Sequence, residues 1–503
     1  MSFSGRSRLA RRLWPAVLAA AVTVLPARAQ LPTLGDGNEM STAAERRMGE
    51  RIARELFRDP DYIDDPVLVD YVRTVWQRLL DAARARGELN AELDERFSWQ
   101  VLLGKDRTVN AFALPGGWLG LNLGLVSVTV SADELASVLA HELSHVTQRH
   151  IARMFAQEKR ATPLVIGAMV LGALAASKSP QAANAVIAGS QAGAMQSQLN
   201  FSRDMEREAD RIGFGVMTQA GFQQQAFVAM FEKLQQASRL NDYGAFPYLR
   251  SHPLTTERVA DMQSRIRFDA KVVPIAPSAL LEHSMMAGRA RAVSAAGVDM
   301  QRALVAEAQS VQANAPRVRA AGALYAGALA ASRLRDFQVA AALAERLVPL
   351  VQDDRTAARH ARLLRAELAL QAGQADRAAA LLDGKASERA EVMLWAQARL
   401  AAGAMAEVSQ RLDAWVAAQP RDALAWQMLA TACAAQGQQV RALRAEAEAQ
   451  VAHLDYAAAV DRFKAAQQVS RRGAGRGDYI DASIVDTRLR QVESLLREQA
   501  LER

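Results

Sequence analysis

The sequence predicts a predominantly helical α+β fold, with a mixed N-terminal domain followed by an all-α repeat array, and three observations carry that expectation. Half of the 503 residues are hydrophobic while only 6% are aromatic, and alanine makes up the difference. Alanine is the best helix former, whereas strands draw on aromatic and β-branched residues. Most glycines and four of the seven histidines fall between residues 31 and 270, where helix-like and strand-like periodicities are mixed. From about 311 to 485 the chain is instead rich in Ala, Leu and Arg with few prolines. A chain of this length exceeds one ordinary hydrophobic core.

Residues 1–29 read as an export signal. Arg6, Arg8, Arg11 and Arg12 form a basic start, an apolar run covers residues 13–25, and Ala27-Arg28-Ala29 is a small-x-small cleavage site. Gln30 is then the mature start, and the periplasm the expected destination. Removing the five arginines of this segment takes the formal charge from +7 to +2. With no dense basic patch elsewhere, no nucleic-acid partner is expected. Cys433 is the single cysteine, so no internal disulfide can form; in an Ala-rich helical stretch it reads as a small buried apolar residue.

The domain from 30 to 270 holds the chemistry. Ser131 followed by Glu134 is a capping box opening a long helical pattern. That helix carries His141-Glu142-Leu143-Ser144-His145. At about 100° per residue, His141 and His145 share one face, the arrangement that brings two imidazoles to one metal ion. Glu142 projects beside the metal's open position. Zinc there lowers the pKa of water to about 7 and polarises a scissile carbonyl, so Glu142 serves as base toward water and as acid toward the leaving amine. A third ligand must come from another segment. In Ser202-Arg203-Asp204-Met205-Glu206-Arg207-Glu208-Ala209-Asp210, Glu206 and Asp210 share a helical face, Glu208 points away, and Ala209 permits close helix approach. Glu206 is the candidate for a His-His-Glu site, with Asp210 accepting a ligand histidine's ring N–H. The competing reading is a solvated acidic helix.

Upstream, Asn110, Ala111, Phe112, Ala113 and Leu114 lead into Pro115-Gly116-Gly117, a turn signal, and residues 119–126 are the expected hairpin partner. His150 lies about 180° round a continuous helix from His141 and on that geometry cannot reach the same ion. His283, His360 and His453 fall outside this domain.

The His141 to His145 motif, the Glu206-x-x-Ala209-Asp210 segment and the stretch from Asn110 to Gly117 together resemble the zinc metallopeptidases that include HtpX and the CAAX prenyl proteases. The resemblance implies a gluzincin domain with one zinc ion per chain, His141, His145 and Glu206 as ligands, Glu142 as catalytic base, and Asp210 behind a ligand histidine. It implies that the segment Asn110 to Leu114 is an edge strand beside the cleft, onto which an unfolded substrate adds as a further strand. It also implies that His252, in Ser251-His252-Pro253-Leu254, is a latch occupying the metal's open position; the plainer reading is a surface loop histidine.

Residues 271–310 read as a helical connector, opened by the extended Val272-Val273-Pro274. Beyond it, Gly373, Gly403 and Gly437 each separate two apolar helical stretches, and each has a small residue five positions later: Ala378, Val408 and Ala442. Arg335 with Ala340 is a degenerate earlier copy. The spacing, together with Trp426, Leu429, Ala430 and Pro420, resembles tetratricopeptide repeats, whose period is about 34. Each helix pair has an apolar face that it can bury only by stacking on a neighbour. A separate C-terminal helix is expected over 486–503.

The stretch 163–176, opening on Pro163 and closing on Ala176, is apolar but about 21 Å long as a helix, short of the roughly 30 Å hydrocarbon core. Peripheral membrane contact and simple core packing compete there. Taken together, the expectation is a periplasmic zinc endopeptidase; the resemblance implies that its substrates are unfolded or misassembled envelope and outer-membrane proteins and that its repeats bind the outer-membrane assembly machinery. The first rival is an assembly chaperone or scaffold with latent or secondary proteolysis. The second, a membrane-embedded prenyl-type peptidase, is disfavoured by the lack of several long apolar spans.

Overall fold

The computed structural model describes residues 40–157, 202–239, 244–266, 275–473 and 478–500. The export signal, the 163–176 stretch and Val272-Val273-Pro274 lie outside the described residues. Among the described residues, no helix is long and apolar enough to cross a membrane. The architecture is α+β, with one small sheet and a predominance of helices that continues into a C-terminal array of helical repeats.

The N-terminal part opens with helix α1 (Thr42–Arg58), capped by the Ser41 hydroxyl accepting from the Ala44 N–H. Strand β1 (Tyr62–Ile63) and helix α2 (Pro66–Ala85) follow. Asp65 caps α2 by accepting from the Val67 and Leu68 N–H groups, and Pro66 occupies the first turn, where its missing donor costs nothing. Helix α3 (Ala91–Arg96) leads into β2 (Gln100–Gly104), β3 (Ala111–Leu114) and β4 (Trp118–Asn122). The sheet order is β1-β2-β4-β3; β2 runs parallel to β4, while β1 and β3 pair antiparallel with their neighbours.

Between β3 and β4 the chain turns through a 3-10 segment, Pro115–Gly117, with Gly116 at φ 73° and Gly117 at φ 82°. A Cβ at Gly116 would stand 2.8 Å from the Arg46 Cα, so glycine is required there on both counts. Phe112 faces Gly120 across the hairpin, and its ring fills the space that a side chain would need. The expected partner strand over 119–126 is shorter than the sequence suggested. Pairing stops at Asn122, and the apolar run continues as helix α4 (Leu123–Val128). A short apolar run cannot by itself distinguish a buried strand from a buried helix.

Helix α5 (Ala132–Thr147) is buried on every side from Asp133 to Thr147. Ser131 caps it, accepting from the Glu134 N–H at 3.2 Å. The Glu134 carboxylate reaches back one residue further than a capping box would, to the Val130 N–H at 2.9 Å, and pairs with Lys233 at 2.6 Å. Helix α6 (His150–Gln157) follows at once. The remaining helices of this part are α7 (Arg203–Gln219), α8 (Gln224–Arg239), the single-turn α9 (Tyr248–Ser251) and α10 (Thr256–Arg265).

The segment read as a connector is an element of the core. Its first helix, Pro277–Ser294, buries Leu281, His283, Met285 and Met286. His283 sits 2.6 Å from the Tyr71 hydroxyl and 2.8 Å from the Thr129 carbonyl, on α2 and after α4, so it belongs to the N-terminal core rather than outside it. Behind it, antiparallel helix pairs run to the C-terminus. Their turns are at Arg335, Gly373, Gly403, Gly437 and Leu454, all with positive φ, and at each the following N–H reaches back to the same carbonyl position of the helix before it. These are recurring Schellman-type caps. Ala340, Ala378, Val408 and Ala442 are all buried at the helix contacts. The helix expected from 486 is the second half of a longer one, Asp478–Ala500, packed on Tyr456–Gly473.

Buried ions fasten the array to the first part. Arg389 grips Asp64 at 2.7 and 2.8 Å and Asp422 at 2.8 Å, and the neighbouring Ala390 N–H donates to Asp70. Arg289 binds Asp65 and Glu367. Truncating one partner of such a set leaves buried charge uncompensated. Arg389→Ala is expected to cost about 3 kcal/mol or more, read as a lower denaturation midpoint with faster amide exchange in both β1 and the Ala423–Ala435 helix. An unchanged midpoint would show that the ion set does not hold the array in place.

Candidate metal centre

Three segments converge on one buried point. From α5 come His141 and His145, one turn apart on the face turned toward α7. From α7 come Glu206, in the first turn after the Ser202 cap, and Asp210, one turn further on. Gly213 lets the two helices approach: a Cβ there would stand 3.0 Å from the backbone of Ala140 and His141. Ala209, one turn before Gly213, is also fully buried. His252 enters from the end of α9, its N–H accepted by the Tyr248 carbonyl and its ring stacked on Tyr248 with centroids 4.6 Å apart. It is 2% exposed and is therefore not a surface loop histidine.

His141, His145, Glu206 and His252 each offer one ligand atom to a common centre, all within 4.8 Å of one another. The Nε2 atoms of His141 and His145 are 3.0 Å apart, and His141 Nε2 is 3.3 Å from His252 Nδ1. Glu206 Oε1 lies 3.0 Å from His252 Nδ1 and 3.5 Å from His145 Nε2. A tetrahedral zinc ion with bonds of about 2.0–2.1 Å has ligand atoms about 3.3 Å apart. These four separations, 3.0–3.5 Å, are close to the edges of such a tetrahedron.

The charges agree. The buried acids Glu142, Glu206 and Asp210 outnumber the buried Arg258, so the centre is acidic and suits a cation. Burial disfavours charge on His141, yet the carboxylates of Asp210 and Glu206 outweigh it and hold its pKa up at about 10, so the site favours a cation at this point. Burial, reinforced by His141, drives His145 well below the usual histidine range. Burial also raises Glu206, but His252 and His141 bring it well below an ordinary carboxylate. The donor set and its spacing thus fit zinc.

Beyond the four donors, each group has a role in the geometry. His141 Nδ1 is 2.9 Å from Asp210 Oδ1, which turns Nε2 toward the centre. Glu142, wholly buried, accepts the Ala113 N–H on Oε2 at 2.9 Å and has Oε1 3.4 Å from His252 Nε2. Strand β3 is the edge of the sheet. The Asn110 carbonyl accepts from Asn122 on the β4 side, so by alternation the N–H groups of Ala111 and Ala113 point outward, toward Glu142. Asn110 itself stands just before the strand; Phe112 and Leu114 alternate with the two alanines.

Two features escaped sequence reasoning. Arg258 forks onto Asp210 at 2.6 and 2.8 Å, reaches Glu206 Oε2 at 2.8 Å and donates to the Pro253 carbonyl. Its signal in the sequence is indirect: two carboxylates on a buried helical face require a cation. His150 was placed on the far side of a continuous helix, but the helix stops. Arg149 adopts φ 53° and redirects the chain, bringing His150 Nδ1 to 2.9 Å from His145 Nδ1 and His150 Nε2 to 3.1 Å from Glu208. His360 and His453 lie away from the centre: His360 pairs with Glu282, and His453 stacks on Phe57.

Residues 71–266 match the sequence model of peptidase family M48. The chain is 36% identical over 261 residues to the β-barrel assembly-enhancing protease of Escherichia coli strain K12, covering 50% of this chain and 51% of that protein. Its counterpart in Yersinia pestis is 37% identical over 246 residues, 48% of each chain. The mitochondrial metalloendopeptidase OMA1 of Schizosaccharomyces pombe is 29% identical over 233 residues, 45% of this chain and 62% of that one. The chain spans about half the length of the bacterial relatives it matches. The matched region, residues 71–266, contains His141, Glu142, His145, Glu206, Asp210, His252 and Arg258.

Arg258→Ala would strand two buried carboxylates. The expected loss is about 3–5 kcal/mol, measured by urea denaturation of the zinc-loaded chain. A midpoint equal to that of the unsubstituted chain would remove Arg258 from the centre's support.

Proposed function

We propose that this chain is a zinc metalloendopeptidase that degrades unfolded or misassembled envelope polypeptides, outer-membrane proteins among them, in the periplasm. The observation that carries the reading is the spacing of four buried donor atoms as a zinc polyhedron with Glu142 beside it, one oxygen on the N–H of an edge strand. Zinc held by His141, His145 and Glu206 would supply Lewis acidity toward a carbonyl and make water acidic enough to ionise near neutral pH.

The protein's own groups would do the rest. Glu142 takes the proton of the attacking water and returns it to the leaving amine. A substrate strand that adds to β3 uses the outward groups of Ala111 and Ala113. Pairing with Ala113 removes the N–H that now occupies Glu142 Oε2, so substrate docking would free the carboxylate beside the scissile bond. Main-chain pairing is indifferent to side chains, which suits a protease of extended, unfolded segments rather than of one sequence.

The names of the bacterial relatives, β-barrel assembly-enhancing proteases, support the envelope substrate class, and the signal-like residues 1–29 support the periplasm. The helix pairs after residue 311, read as tetratricopeptide repeats, would recruit the outer-membrane assembly machinery, and residues 163–176 would contribute peripheral membrane contact.

His252 favours a second reading. Its Nδ1 stands where the fourth donor belongs, so it would act as a latch that keeps water from the open position, leaving a resting chain that serves mainly as an assembly chaperone or scaffold. Glu142→Gln separates the two: casein hydrolysis should fall by about 10²–10⁴-fold with zinc content intact. Unaltered hydrolysis would refute the assignment of Glu142. Retained assembly function in that variant would favour the scaffold. His252→Ala should raise the initial rate of casein hydrolysis at saturating zinc, and an unmoved rate would dismiss the latch.

A further inference from the structure

We propose that His150 and Glu208 are positioning residues for the ligand His145, a relay through one extra imidazole that does for His145 what Asp210 does directly for His141. The inference rests on the reading of His141, His145 and Glu206 as zinc ligands. A histidine that turns Nε2 to a metal presents Nδ1–H as a donor, and a buried donor needs an acceptor that fixes its ring. For His141 the group facing Nδ1 is a carboxylate oxygen, Asp210 Oδ1, 2.9 Å away. For His145, the Nδ1 atom faces Nδ1 of His150 at 2.9 Å.

Two ring nitrogens at that distance share one proton, and the surroundings decide its direction. His145 needs Nε2 bare for the centre, so its Nδ1 carries the proton and donates. His150 then accepts on Nδ1 and carries its own proton on Nε2. That proton points to Glu208 Oε2 at 3.1 Å, and Arg153 holds the same oxygen at 2.9 Å. Every donor in the series meets an acceptor, with the same sense from His145 outward to a carboxylate at the surface. His150 is wholly buried, while the Glu208 side chain is 27% exposed.

The backbone is shaped for this. A continuous α5 would carry His150 to the opposite side of the helix. Instead the helix ends at Thr147, and Arg149 takes a left-handed conformation that non-glycine residues seldom adopt. Arg149 is clamped from α1, by Glu45 at 3.0 Å and by the Met40 carbonyl. The strained residue swings His150 back beneath His145. A histidine that merely filled the core would not require that turn.

Zinc affinity tests the relay directly. The full chain, stripped of metal and titrated with zinc against a chromophoric chelator, gives a Kd for each variant, and melting in chelator reports the apo fold separately. His150→Ala and Glu208→Ala should each weaken zinc binding by about 10–100-fold, and His150→Asn, which returns a carbonyl acceptor to His145, should recover part of the loss. Folded variants that bind zinc as tightly as the unsubstituted chain would overturn the relay alone. Should His150→Ala fail to fold, Glu208→Ala, at a partly exposed position, decides. No zinc binding by the unsubstituted chain would overturn the metal reading and the relay with it.

Discussion

The charge balance at one buried point is the constraint on which the rest of the structure depends. Two imidazoles from α5, a third from the end of α9 and a carboxylate from α7 lie within 4.8 Å of one another, none of them accessible to water. Such a group is costly to bury, since an ion removed from water must recover its solvation from partners. The partners are specific. Arg258 answers Asp210 and Glu206 on one side, and a bound dication would answer the acidic surplus on the other. The helices must then pack closely enough for side chains of fixed length to meet. Gly213 and Ala209 on α7 provide that closeness where a larger side chain would hold the backbones apart.

The small sheet is tied to the same centre, and the C-terminal helices are held by ion pairs of their own. Strand β3 lies against α5 with its outward N–H on Glu142, so the edge available to an extended peptide and the carboxylate proposed as base are held in one register. The helical array is not appended through a loose tether. His283 and its helix are part of the N-terminal core, and Arg289 and Arg389 each bind acids from both parts of the chain. Phe57 of α1 also stacks on His453 near the far end of the array. Motion of the array relative to the centre would therefore have to break buried ion sets, not a flexible joint.

Much of this could be read from residue types and spacing. The His141 to His145 interval, the Ser131 cap and the shared face of Glu206 and Asp210 are local facts about helices with 3.6 residues per turn. Gly373, Gly403 and Gly437 marked helix-pair turns because a left-handed cap favours glycine. The same cap at Leu454 is invisible in the sequence, because there a non-glycine residue adopts it. Residues 123–126 failed for a related reason: a buried apolar run has no periodicity with which to separate helix from strand.

The sequence by itself therefore pointed to the candidate donors His141, His145 and Glu206, the helices that carry them and the helical character of the repeat array, because these follow from periodicity and capping along the chain. Only the tertiary structure brought His252 against His141 and Glu206, set Arg258 on Asp210 and Glu206, and returned His150 beneath His145. Each depends on where a chain reversal aims a side chain across space. At Arg149, one left-handed residue held by Glu45 from more than a hundred positions away overrides the angle that local helical geometry would have assigned.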